Sequence, residues 1–159
     1  SSLWGKNLTF KKPFLNPLML IRKCEQRDLD EVMSIEEQSF DHPYPYRIFE
    51  EYLGDELFLV AEDEDVVGYI IGEEDEEHGL IVSIAVSPSH RFEGIGTELM
   101  KSVQEKMEVN TFFVTVRPSN NGAIQFYKGL NFSKVGMIRD YYKNDEDGIL
   151  LKTESKGKD

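Results

Sequence analysis

A mixed α/β sandwich is the fold class this sequence predicts, and its pattern shows in three places. Apolar runs of strand length alternate with stretches of helical period. In the middle, an apolar strand passes through a turn with two spaced glycines into an amphipathic helix. The chain then closes on a strand, a short helix and two more strands. At 159 residues this is the length of one domain with a real core.

Each element has a local reason. Leu20-Ile21-Arg22-Lys23 reads as a short first strand. Asp28 can cap a helix that carries Leu29, Val32, Met33, Ile35 and Glu36, with Glu31 three residues on as in a capping box. Residues 40–46 must be a loop, because Pro43 and Pro45 interrupt them, and a short helix over 47–53 follows. Strands over 57–61 and 66–71 flank the acidic run 62–65 as a hairpin turn. Acidic residues 73–77 form the next turn, before the strand containing Ile81. The glycine-led helix buries Ile95, Leu99, Met100, Val103 and Met107, mostly three or four residues apart. A strand over 111–116 follows, then Asn120 and Asn121 ahead of a helix over 123–128 that Gly129 closes. Segments 132–138 and 148–152 form a last antiparallel pair.

Residues 1–18 read differently. They are polar at first and then broken by Pro13 and Pro17, as a native extension or residues added for expression, with Met19 the expected original start. The organisation expected is therefore an extension over 1–18, a domain over 19–153 and a tail over 154–159.

Composition excludes several classes. A formal charge of −12 is the wrong sign for a nucleic-acid-binding surface. No apolar run approaches the roughly 20 residues that span a membrane, and no signal-peptide core stands at the N-terminus. Cys24 is the only cysteine, so there is no intrachain disulfide and no cysteine zinc cluster. A cytoplasmic setting without a membrane partner is expected. The acidic clusters lack the spaced glycine and terminal glutamate of a calcium loop, and no metal site is expected.

Residues 81–97 are the most informative stretch. Arg91, Gly94 and Gly96 lie where the strand's turn becomes a helix. Glycines there let a backbone approach a ligand, and the free N–H groups of a helix start hold anions such as pyrophosphate. The Arg91-x-x-Gly94-x-Gly96 string is weak alone, since glycines also make turns. In its strand–turn–helix setting it points to a phosphate-bearing cofactor. Taken singly, other residues have plain readings: Tyr127 as a core aromatic, His78 and His90 as turn residues, Tyr141 and Tyr142 as strand packing, Cys24 as a small buried apolar group.

Three segments together carry a resemblance: 82–97; Val116-Arg117-Pro118-Ser119-Asn120 with Ala123, Tyr127 and Leu130-Asn131-Phe132; and Tyr141-Tyr142 followed by acidic Asp145-Glu146-Asp147. The chain resembles GNAT-fold N-acetyltransferases, most of all the RimI-like and archaeal protein N-terminal (Nα) acetyltransferases, over residues 19–153. The resemblance implies a central mixed, mostly antiparallel β-sheet flanked by helices, with acetyl-CoA as cosubstrate and CoA as product. Ile84, Ala85 and Val86 would offer backbone groups to the pantetheine arm. The backbone of Arg91, Phe92, Glu93, Gly94, Ile95, Gly96 and Thr97 would cradle the pyrophosphate, with the Glu93 side chain turned to solvent. Asn120 would hydrogen-bond the cofactor's amide region, and Tyr127 would protonate the departing thiolate. Phe40, Pro43, Tyr44, Tyr141 and Tyr142 would grip the substrate's first residues. The implied partners are protein or peptide N-termini, ribosomal proteins or nascent chains among them; oligomeric state is not implied.

The general base departs from the pattern. Positions where relatives carry a glutamate, histidine or tyrosine correspond here to Thr115, Leu80 and Tyr44. His78, two residues before Leu80, would share its face in a strand and act directly or through a water. A missing base costs little for an α-amine, whose pKa of about 7.7–8.0 leaves roughly a tenth to a fifth neutral at pH 7. A lysine at about 10.4 is neutral only once in a few thousand. The departure therefore favours α-amines. Acetyl transfer by direct attack on a protein N-terminus is the activity expected, with a backbone N–H near Ile84 or Val86 stabilising the oxyanion. A small-molecule amine acetyltransferase and a non-catalytic acyl-CoA-sensing module are the alternatives.

Overall fold

The computed structural model describes residues 19–142 and 146–155. The expected extension over 1–18, Asp145 and the last four residues lie outside them. Seven strands form one mixed sheet in the order β1-β2-β3-β4-β5-β7-β6. The elements along the chain are β1 (Leu20–Lys23), α1 (Leu29–Ser39), α2 (Tyr46–Tyr52), β2 (Phe58–Asp63), β3 (Asp65–Glu74), β4 (Gly79–Val86), α3 (Ile95–Lys106), β5 (Thr111–Val116), α4 (Asn121–Gly129), β6 (Ser133–Ile138) and β7 (Gly148–Glu154). Two compact units divide the described residues: 19–70 with Ile84–Ser102, and Ile71–Ser83 with the described residues from Val103 on.

In the first unit, β1 pairs antiparallel with β2 from Leu20↔Glu62 to Lys23↔Leu59. The apolar stripe of α1, Leu29, Val32 and Ile35, is buried with Phe49 of α2 and all of Phe58 to Ala61. Phe49, Phe58 and Tyr69 meet edge-on or tilted, with centroids 5.6–6.5 Å apart. Gly68 of β3 lets α3 come close: a Cβ there would stand 3.1 Å from Leu99 Cδ1 and 3.2 Å from the Ala85 carbonyl oxygen. Cys24 is 3% exposed. Burial first, and then the negative field of Asp28, push its thiol up to about 12.

Asp28 does not cap α1 with its side chain. Its carboxylate instead takes the Arg22 guanidinium at 2.8 and 2.9 Å and the Glu25 N–H at 2.8 Å. Glu31, expected to complete a capping box, accepts the Val66 N–H at 3.3 Å. Asp28 is drawn away by near neighbours before the helix, Arg22 and Glu25, and Glu31 by Val66, which is distant in sequence. The β2–β3 turn is also tighter than four acidic residues suggest, because it closes on Glu64 at φ 66°.

In the second unit, β5 pairs antiparallel with β7 along its whole length, and β7 with β6. A bulge at Val135 shifts the β6 register between Lys134 and Gly136. β7 runs through Glu154, past the end expected at residue 152 and into the expected tail. Gly79 gives room to the core: a Cβ there would meet Met107 Sδ at 2.5 Å and Phe112 Cδ1 at 2.8 Å. β4 and β5 are parallel, in register only over Gly79–Ile81 against Phe112–Val114. Most of β4 therefore lies beyond that pairing.

Candidate active site

The first unit holds the end of β4, the turn after it and the loop between α1 and α2. Along β4 burial alternates, with Ala85 inside and Ile84 and Val86 on the more open face. The turn takes a sharp course. Phe92 has φ 66° and Gly94 φ 87°, and the Phe92 ring stands fully in solvent. Residues of left-handed conformation among ordinary ones gather N–H donors on one side, directly before the buried Ile95 opens α3. Glu93 is exposed, while Gly96 and Thr97 lie in the first turn of the helix. Arg91 reaches back: its Nε donates to the Val86 carbonyl at 3.2 Å and its Nη2 to Ser39 Oγ at 3.2 Å.

Ser39 is the last residue of α1, and the exposed loop with Pro43 and Tyr44 starts directly after it, at half-buried Phe40. The Tyr44 ring meets Phe49 edge-on at 6.5 Å. Glu36 accepts the Tyr44 N–H at 2.9 Å. The spacing of Glu36 after Leu29, Val32 and Met33 puts it on the apolar face of the helix, but no sequence pattern announced its partner.

The second unit holds the remaining candidates. Asn120 is the N-cap of α4, its Oδ1 accepting the Ala123 N–H at 3.0 Å. Its carbonyl is thus committed to the helix, and the amide N–H groups are what it can offer a ligand. Tyr127 is 5% exposed and packs edge-on against Phe126 and Phe132, with centroids 5.3 and 5.4 Å away.

The tandem tyrosines divide their work. Tyr142 donates its hydroxyl to the Thr115 carbonyl at 3.1 Å, and the Arg117 guanidinium lies 4.0 Å from its ring centroid. Arg117 also pairs with Glu146 at 3.1 Å, and Glu146 accepts the Ser119 N–H at 3.1 Å. Hydrogen bonding from Ser119, then Arg117, holds the Glu146 carboxyl below its usual range. This network ties the turn before Asn120 to the Tyr142 loop. Tyr141, edge-on to Tyr142 at 4.9 Å, is 50% exposed. Arg117 and Glu146 carry no signal in the sequence beyond their place in the motif, because α4 and β6 lie between them in the chain.

His78 stands apart from the expectation. β4 begins at Gly79, so His78 lies in the turn and not on the strand face of Leu80. Asp75 folds that turn by accepting the Glu77 and His78 N–H groups at 2.8 Å each. The His78 ring packs edge-on to Phe113 at 5.4 Å, with Nδ1 3.6 Å from Asp75. Among the described residues, no cluster of His, Cys, Asp and Glu gathers to hold a metal ion, and no helix is long and apolar enough to cross a membrane.

The sequence pattern of the acetyltransferase (GNAT) family matches residues 26–132, from the end of β1 to the start of β6. The chain belongs to this family. Within it, the GNAT chain is 37% identical over 149 residues to an uncharacterised N-acetyltransferase of Methanocaldococcus jannaschii, covering 87% of this chain and 96% of that one. It is 35% identical over 150 residues to an N-alpha-acetyltransferase of Sulfurisphaera tokodaii, covering 82% and 90%. Among solved structures it superposes on Ard1 from Thermoplasma volcanium with TM-score 0.79 and 25% identity, over 87% of this chain and 99% of that one.

Proposed function

We propose that this GNAT chain uses acetyl-CoA to acetylate the N-terminal α-amine of proteins or peptides by direct attack. The observation that carries the reading is the tyrosine corner. Tyr142 is pinned to β5 through the Thr115 carbonyl, and Tyr141 is left half exposed beside it. Such a corner suits a peptide backbone better than a polyamine. Kinship with the N-alpha-acetyltransferase of Sulfurisphaera tokodaii supports the same substrate class.

Acetyl-CoA supplies an acyl group already activated as a thioester. The chain's residues fit such a ligand. The N–H groups around Phe92, Gly94 and the α3 start suit its pyrophosphate, with the Arg91 charge beside them. β4 beyond Ile81, outside the β5 register, offers N–H and C=O groups to an extended arm. Asn120 donates through its amide. A β4 N–H near Ile84 or Val86 holds the negative charge that develops on the acyl oxygen. The Tyr127 hydroxyl gives its proton to the leaving sulfur, a step that a phenol of pKa about 10 can perform toward a basic thiolate. Phe40, Pro43, Tyr44, Tyr141 and Tyr142 hold the peptide. The α-amine needs no strong base, and any part His78 takes is through a water.

The wider frame of the proposal is a cytoplasmic enzyme over residues 19–153, with 1–18 as an extension and ribosomal proteins or nascent chains among its substrates. Thiol release from acetyl-CoA tests it, with short free-N-terminus peptides, spermidine, and a lysine peptide whose N-terminus is blocked. Turnover with the free peptides alone is expected; turnover confined to spermidine or the blocked peptide rejects the reading. In the same assay Tyr127→Phe should lower kcat about 100-fold or more while acetyl-CoA affinity stays within a few-fold. Full turnover in that variant removes Tyr127 from the chemistry.

A further inference from the structure

The loop holding Tyr44 is exposed, and its prolines restrict its backbone without fixing where its tip stands. A carboxyl group from inside the first unit supplies the anchor. Glu36 on α1 is 2% exposed. One of its oxygens accepts the Tyr44 N–H at 2.9 Å. The other accepts the hydroxyl of Tyr69, which is fully buried on β3. The Tyr69 ring in turn sits edge-on to Phe49 at 5.6 Å, and Phe49 meets the Tyr44 ring at 6.5 Å. Tyr44 is therefore held twice, by its backbone through Glu36 and by its ring through Phe49, and both holds lead back to Tyr69.

Core packing alone does not call for an acid at this place. Burying a carboxyl costs free energy unless both oxygens are satisfied, and a well-packed apolar side chain of similar volume is often as stable or more so. What only the carboxyl provides is a double acceptor joining a loop N–H to a tyrosine on the sheet. We propose that Glu36, backed by Tyr69, is a positioning residue that sets the stance of Tyr44 and thereby which first residues of the substrate are accepted. The proposal rests on the reading that Phe40, Pro43 and Tyr44 grip the substrate.

α1 carries an internal control. Three residues after Glu36, Ser39 Oγ accepts from Arg91 at 3.2 Å, so a general disturbance of the helix end would reach the cofactor turn as well as the loop. The test is steady-state kinetics of the wild type, Glu36→Met and Glu36→Gln on peptides that differ only in their first residue, with acetyl-CoA varied separately. Met keeps the volume and loses both acceptors, whereas Gln can accept from Tyr44 and donate to the Tyr69 oxygen. In Glu36→Met the peptide KM should rise about tenfold, the size expected for losing a buried hydrogen bond to an acidic group. The ranking of first residues should flatten, and the KM for acetyl-CoA should stay within about twofold; Gln should restore most of the peptide KM. If Met does not fold, Tyr69→Phe carries the same measurement, since it keeps the ring among Phe49 and Phe58. An unchanged peptide KM and ranking, or a parallel shift in both substrates, overturns the proposal. If the wild type turns over only spermidine, the substrate reading fails by itself. The same variants assayed on spermidine then decide Glu36: a raised KM sustains its part, and an unchanged one rejects it.

Discussion

Asp28 shows how a residue's role is set by what reaches it. At 2% exposed, burial by itself would push its carboxyl up. The Arg22 fork and the Glu25 N–H outweigh that and hold it below the usual range. A carboxyl depressed by folding adds stability above its unfolded pKa of about 3.9 and loses it as pH falls through the lower, folded value. Arg22→Ala should therefore cost about 3 kcal/mol at neutral pH, by stranding a buried charge. Its penalty should shrink as Asp28 takes up a proton in acid. Urea unfolding midpoints measured from neutral to acid pH check this, and a penalty that persists unchanged at the acid end contradicts it. The capping box read from the sequence failed here because Arg22 and the Glu25 N–H, both just before the helix, take the Asp28 carboxylate, while Glu31 turns to Val66 on β3.

At the scale of elements, the periodic stretches were legible and the joins were not. α1, α3 and β5 stand where apolar spacing put them, because burial of one face leaves a repeating trace. The β2–β3 turn and the start of β4 depend on single backbone angles and on the Asp75 hydrogen bonds, which leave no periodic trace. His78 lies in the turn before β4, as its plain reading had it, and not on the strand face that a catalytic part beside Leu80 would use. Gly148, at the start of β7, illustrates a join with functional weight. A Cβ there would stand 2.5 Å from Thr115 Cγ2 and 3.1 Å from Tyr141 Cβ. Thr115 has to shift, and Tyr141 has to give by a few tenths of an ångström beside it. Gly148→Ala should raise the peptide KM about tenfold, with acetyl-CoA binding unchanged and a stability loss of about 1–3 kcal/mol. Peptide kinetics beside calorimetric binding of CoA measure both halves, and an unaltered peptide KM would show that Tyr141's stance does not matter.

For the whole molecule, the sequence revealed the family because the strand–turn–helix motif is contiguous. The network of Arg117, Glu146 and Tyr142 joins residues far apart in the chain, and the hold of Glu36 on Tyr44 crosses from a helix into a loop without a period; neither left such a trace. Charge acts at this scale as well. The chain carries a net −12, and a field of that sign attracts positive ligands until salt screens it. Raising salt from about 50 to about 500 mM should lower kcat/KM severalfold for a peptide rich in lysine and arginine, and less than about twofold for one without charged side chains. Equal responses would assign the charge to solubility alone.

The chain's one sulfhydryl is enclosed between β1 and the turn before α1, with its proton held to about 12. Enclosed and held protonated, that sulfur is kept from the thiolate form that attacks disulfide dyes and alkylating agents. In a chromogenic assay the folded enzyme is thus optically silent, and every equivalent of colour counts one molecule of coenzyme set free. A slow rise in colour without substrate would, by the same logic, report unfolding.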